Sequence, residues 1–114
     1  MFRIMITLAK QKCVHCEGGE LPLRPDEVVA FSKQIPADWE VLENAKIRKT
    51  FAFKNFVEAM EFVNKVARTA EEEGHHPDLH IFYNKVTIEL WTHAVGGLSK
   101  NDFILAAKIE ELPQ

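Results

Sequence analysis

The stretch from Asn55 to Leu90 constrains the fold more than any other, because its hydrophobic period changes within a few residues. Phe56, Ala59, Met60, Val63, Val66, Ala67 and Ala70 recur at helical spacing to about Glu73, and Gly74 follows where a left-handed residue is expected to close a helix. Asn55 and Glu58, three apart, make a capping-box-like start, and Glu58, Glu61, Lys65, Arg68 and Glu72 mark the solvated side. From Leu79 the period drops to two. Leu79, Ile81 and Tyr83 share one face, Asn84-Lys85 is the expected turn, and Val86, Ile88 and Leu90 share one face of a second strand. His93 is expected on the other face with Thr87, Glu89 and Trp91.

The flanks supply similar parts. Residues 1 to 9 suit a short strand or a packed arm. Pro25-Asp26-Glu27 opens a helix with proline where its missing N–H costs nothing and acids on the positive end of the dipole. Val28, Phe31 and Ile35 fall on one face, and Pro36 is the expected stop. After Trp39, Glu40-Val41-Leu42 reads as a strand, Glu43-Asn44-Ala45 as a turn, and Ile47 to Phe53 as a strand with Ile47, Phe51 and Phe53 on one side. Gly96-Gly97 releases the chain from the second hairpin. Ser99 and Asp102 then begin a last helix carrying Phe103, Ala106, Ala107, Ile109 and Leu112. The order helix, two strands, helix, two strands, helix predicts an α+β fold: a four-stranded antiparallel sheet with three helices packed on one face.

At 114 residues the chain fits a single domain, residues 1–114, with a core that needs neither disulfide nor metal. Fourteen basic against seventeen acidic side chains give a net charge of -3, with no basic run, which argues against direct nucleic acid binding or an anionic membrane surface. The apolar start is too short for a span and has no convincing cleavage site, so no membrane segment is expected and the location reads as cytoplasmic.

Four of the five histidines fall between Glu71 and Asp102, and three of them, His75, His76 and His93, are the candidates for one cluster. Imidazole titrates near neutrality, so a histidine cluster is the usual apparatus for moving protons. His75 and His76 are adjacent, so in extended chain they point apart and make a poor chelating pair. Pro77 holds His76 out of the helical region. Antiparallel pairing returns the chain and should bring His93 beside the His75-His76 turn. Glu71, one helical turn before His75, and Asp102, opening the last helix, can flank the same cleft, and Trp91 and Thr92 can offer a ring face and a hydroxyl. The plainer reading makes Trp91 and Tyr83 packing residues, Asp102 a cap for Ser99, Glu71 a charged helix end, and His15 and His80 structural. Cys13 and Cys16, with His15 between them, are half of a zinc site, but the second half is missing and a reduced pair in a turn is the simpler reading. From the residues alone the chemistry is histidine acid-base catalysis on a small polar ring or carbonyl substrate, without metal.

The pattern Glu71-x3-His75-His76-Pro77, five residues, Tyr83, nine residues, His93, eight residues, Asp102 resembles the signature of the pterin-4a-carbinolamine dehydratases, also called 4a-hydroxytetrahydrobiopterin dehydratases. The likeness extends to Tyr83-Asn84-x-Val86, Thr92-His93-x3-Gly97-Leu98-Ser99, Leu105-Ala106, Trp39 and the Cys13-x2-Cys16-x-Gly-Gly segment. It departs at Gly74, where animal members commonly carry an acidic residue. The resemblance implies a hydro-lyase that dehydrates the 4a-carbinolamine of a tetrahydropterin to the quinonoid dihydropterin, in recycling of the pterin cofactor of aromatic amino-acid hydroxylases. It implies His75 and His93 as the acid-base pair, their order undecided, with His76 orienting the pterin, and Glu71, Thr92 and Asp102 near the substrate. No metal, flavin or nicotinamide is implied. A homodimer or homotetramer with sheets paired across subunits is implied as well. Two other readings compete: a non-catalytic dimerisation module of the same fold, since the animal protein also partners a homeodomain transcription factor, or a dehydratase for another pterin-like substrate. A zinc-stabilised protein of unrelated activity would rest on Cys13 and Cys16 alone.

Overall fold

A computed structural model of the chain describes residues 7–14 and 19–114. His15 and Cys16, and most of the apolar start read as a strand or arm, lie outside the described residues. Helix α1 spans Pro25–Ser32, strands β1 and β2 span Glu40–Leu42 and Lys46–Ala52, helix α2 spans Phe56–Glu73, strands β3 and β4 span Asp78–Phe82 and Lys85–Leu90, and helix α3 spans Lys100–Glu110. The strands form one antiparallel sheet in the order β1-β2-β4-β3. This is the expected α+β architecture of four strands and three helices.

Register explains the layering. Ile47 lies opposite Leu90, Phe51 opposite Val86, and Leu79 opposite Ile88, so these apolar side chains share one face. That face meets Phe62, Val66 and Ala70 of α2 and Phe103, Ala106 and Ile109 of α3 in the core. Arg48, Thr50, Thr87, His80 and Glu89 occupy the opposite, polar face. No described helix is long and apolar enough to cross a membrane.

Three boundaries differ from expectation. Helix α1 ends at Ser32 instead of running to Pro36, because Gln34 and Ile35 donate three residues back, to Phe31 and Ser32, and tighten the chain. Ile35 is nevertheless buried. The second hairpin turns at Tyr83-Asn84, not Asn84-Lys85. Tyr83 takes φ +51° and is 68% exposed, so it leaves the apolar face on which alternation placed it. His93 lies beyond the end of β4 in a short 3₁₀ turn, His93–Val95, not on the strand face.

That turn sits inside a small loop closed by Thr92 and Gly97, which exchange backbone bonds of 2.7 and 3.4 Å. Gly96 supplies the left-handed residue, φ +67°, and a Cβ on Gly97 would fall 2.9 Å from Pro22. Helix α2 is capped at both ends. Asn55 Oδ1 accepts from the Glu58 amide at 2.9 Å. At the other end Gly74 (φ +65°) donates to Glu71 and His75 donates to Ala70, the paired bonds of a Schellman motif.

Candidate active site

The Schellman bonds tie the His75 backbone to α2 before its side chain is considered. With Pro77 following, the chain leaves the helix extended, and the adjacent imidazoles diverge as the spacing predicts. His75 turns inward, where Nε2–H donates to Asp102 Oδ1 at 2.6 Å. His76 turns outward to Glu71 Oε2, 2.9 Å away, with both side chains mostly solvated.

Asp102 is fully buried. Its second oxygen accepts from the Ser99 amide at 2.9 Å and the Thr92 hydroxyl at 2.8 Å. Thr92 Oγ1 in turn lies 2.7 Å from Ser99 Oγ. Because the Thr92 proton goes to the carboxylate, Ser99 donates to Thr92. One carboxylate therefore caps α3, holds the end of the loop after β4, and orients His75. A buried carboxylate with three donors holds the ring with its N–H at Nε2, leaving Nδ1 as the nitrogen with a lone pair.

His93 stacks on Trp91, with ring centroids 3.7 Å apart and planes at 24°. Trp91 is fixed by its indole N–H, which donates to Asp78 Oδ2 at 3.1 Å, and Lys46 Nζ lies 5.6 Å over its ring. These groups surround a cleft of about 330 Å³, lined by His75, His76, His93, Thr92 and Trp91 with Pro77, Asp78, Val14 and Asn101. The three histidines thus share one cleft, as antiparallel return of the chain requires. Asp102 does not line it and reaches it through His75; Glu71 does not line it either and reaches it through His76.

Trp91, for which the sequence offered both a ring face at the cleft and a plainer packing role, is a stacking platform for His93. Asp78, Val14 and Asn101 escaped sequence reasoning. Asp78 was discoverable from register, since it pairs opposite Glu89, two residues before Trp91. Val14 and Asn101 carry no local signal, because they meet across 87 positions. Behind them Cys13 is half-buried, its amide donating to Glu73 Oε1 at 2.8 Å. Burial, followed by the Glu73 charge, pushes the Cys13 thiol up to about 12, so it is protonated and unreactive at neutral pH. Among the described residues no group of three His, Cys, Asp or Glu side chains is placed to hold a metal ion.

The sequence model of the family described as pterin 4 alpha carbinolamine dehydratase matches residues 21–112. The chain belongs to that family. Two relatives whose names assign them provisionally to pterin-4-alpha-carbinolamine dehydratase support the placement. The one from Rickettsia canadensis is 45% identical over 106 residues, covering 93% of this chain and 97% of the relative. The one from Nitrosomonas eutropha is 49% identical over 105 residues, covering 92% of each. Among solved structures, a transcriptional coactivator/pterin dehydratase from Brucella melitensis aligns with a TM-score of 0.72 at 29% identity, covering 78% of this chain and 95% of that one. A pterin dehydratase-like protein identified as a RuBisCO assembly factor in the alpha-carboxysome shares the fold, with a TM-score of 0.56 at 23% identity over 64% of this chain. Proteins that share this fold are thus named for catalysis, for coactivation and for assembly.

Proposed function

We propose that the chain dehydrates a 4a-hydroxytetrahydropterin to the quinonoid dihydropterin by histidine acid-base catalysis. The observation that carries this reading is the bond from His75 to a fully buried Asp102 at the rim of a cleft shared with His76 and His93. A scaffold would use Asp102 as the cap of α3 and the partner of Thr92, but has no use for its further bond to one imidazole.

The reaction breaks one C–O bond and moves two protons. The 4a-hydroxyl gains a proton and leaves as water, the neighbouring ring nitrogen loses one, and a C=N bond forms. His75 is the base: Nδ1 takes the proton, and Asp102 compensates the imidazolium that results. His93, exposed and held by Trp91, is the acid that protonates the departing hydroxyl. Solvent resets both rings. His76, braced by Glu71, orients the pterin, and Thr92 acts through Asp102. The reading needs no metal, flavin or nicotinamide, and it places the protein in recycling of the pterin cofactor of an aromatic amino-acid hydroxylase. We also read the exposed edge strand β3, with Phe82 outward, as the site where a second copy pairs in a homodimer or homotetramer.

The test is stopped-flow absorbance of synthetic 4a-hydroxytetrahydropterin decay. Wild type should accelerate decay, and His75→Ala and His93→Ala should each remove about a hundredfold of rate or more while keeping the fold. The double variant should lose little beyond the worse single. A folded wild type without effect on decay would favour a binding module, and unchanged rates in both variants would refute the acid-base assignment.

A further inference from the structure

The family match begins at residue 21, yet residues before it reach the cleft. Val14 lines the cleft although it is far from the histidines in sequence, and the Asn101 side chain grips its backbone. Asn101 Oδ1 accepts from the Val14 amide at 2.8 Å, and Asn101 Nδ2 donates to the Val14 carbonyl at 2.6 Å. Asn101 is itself buried, and it directly precedes Asp102. Such a two-point grip fixes both the position and the direction of the backbone it holds.

The rest of the segment is fastened with equal care. Cys13 N–H donates to Glu73 Oε1, Lys108 Nζ donates to the Ala9 carbonyl at 2.8 Å, and Lys108 lies 3.7 Å from Glu73 Oε2. Leu8 is buried in the core. The arm is thus moored to α2 and α3 along its length, while Val14 keeps 72% of its surface exposed at the cleft. A valine held by its backbone and left open to the cleft presents its side chain to whatever the cleft binds.

From this we infer that residues 13–14, gripped by Asn101, form a wall of the substrate cleft, with Val14 a specificity-determining residue that contacts the bound pterin. Asn101 is a positioning residue acting through that backbone. The inference rests on the proposed dehydratase reading for its ligand. Trp91, His93 and Pro77 offer apolar and aromatic surface elsewhere on the cleft, and Val14 adds an apolar contact for one face of a fused pterin ring whose polar edge is left to other groups.

The experiment measures kcat and KM for 4a-hydroxytetrahydropterin decay with full-length wild type, Val14→Ala, Val14→Asp and Asn101→Ala, alongside thermal melts. Loss of one good contact predicts a KM about threefold higher for Val14→Ala and about tenfold higher for Val14→Asp, with kcat within about twofold of wild type. Asn101→Ala should raise KM about tenfold through the released backbone. A merely structural role would lower the melting temperature and leave KM unchanged. Unchanged KM in both Val14 variants, or effects confined to kcat, would overturn the wall. Because Val14 is exposed, its variants fold even if Asn101→Ala does not. A wild type without dehydratase activity would instead refute the functional reading, so the two failures are distinguishable.

Discussion

Asp102 carries more of this site than any histidine, since it has no exposed surface and accepts three hydrogen bonds from three different parts of the chain. Asp102→Asn keeps the shape but offers an amide nitrogen where one of two acceptor oxygens stood. His75 is then held less firmly and its charge is uncompensated. We expect kcat to fall about a hundredfold, read by stopped flow. Stability should fall by about 1–3 kcal/mol in urea, because a buried donor is left facing a donor. The contrast with Glu71 is instructive. Glu71 also pairs with a histidine, but both partners are solvated, and an exposed pair contributes about 0–1 kcal/mol. Sequence spacing made the two carboxylates look alike; only burial separates them.

At the scale of elements, the boundary between α2 and β3 decides where His75 points. Gly74 at φ +65° permits the two bonds that return the chain to Ala70 and Glu71. A Cβ there would meet nothing within 4 Å, so Gly74→Ala tests backbone strain alone. It should cost about 1 kcal/mol in chemical denaturation, with no cavity or clash to add. This helix, its caps and both hairpins were legible in the sequence because each is specified by residues within about one turn of one another. What was not legible depends on distant partners. Lys49 lies on the apolar face of β2, an apparent fault in the pattern, until Glu110 and Asp38 arrive from α3 and the loop before β1. Asn101 looks like any second residue of a helix until Val14 comes back across the chain. His93 sits off its expected face because the Thr92–Gly97 closure ends the strand early, and paired glycines announce a break without its geometry.

Over the whole molecule, few charges sit near the core, and those that do join layers. Lys49 Nζ bonds Glu110 and lies 3.1 Å from Asp38, while Glu110 also accepts from the Trp39 indole at 3.0 Å. Burial alone would lower the Lys49 pKa, but the two carboxylates outweigh it and hold the pKa above the ordinary lysine value. The folded state therefore binds this proton more tightly than the unfolded one. Its contribution is complete below the ordinary lysine pKa and is lost as pH rises through the raised value. Lys49→Met should cost about 2 kcal/mol at neutral pH, by leaving Glu110 short of a partner, and should flatten the alkaline limb of stability measured by urea titration. Glu73 behaves with opposite sign. Burial pushes its carboxyl up, but the Cys13 amide, Lys108 and Lys12 together bring it below the ordinary glutamate range. Its contribution is present at neutral pH and is lost as pH falls through the lowered value, so Glu73→Gln should flatten the acid limb.

The shared use of Asp102 has a consequence for how this protein can change. The group that stops α3 from fraying is also the group that aims His75, so the first turn of that helix cannot loosen without disarming the site. Selection for greater robustness at that turn and selection for turnover therefore act on one atom pair and cannot be traded against each other there. A lineage that abandoned the chemistry would be free to replace Asp102 with any ordinary cap. On the proposed dehydratase reading, the identity of this one residue is thus a sharper mark of a working member than the exposed His76 and His93.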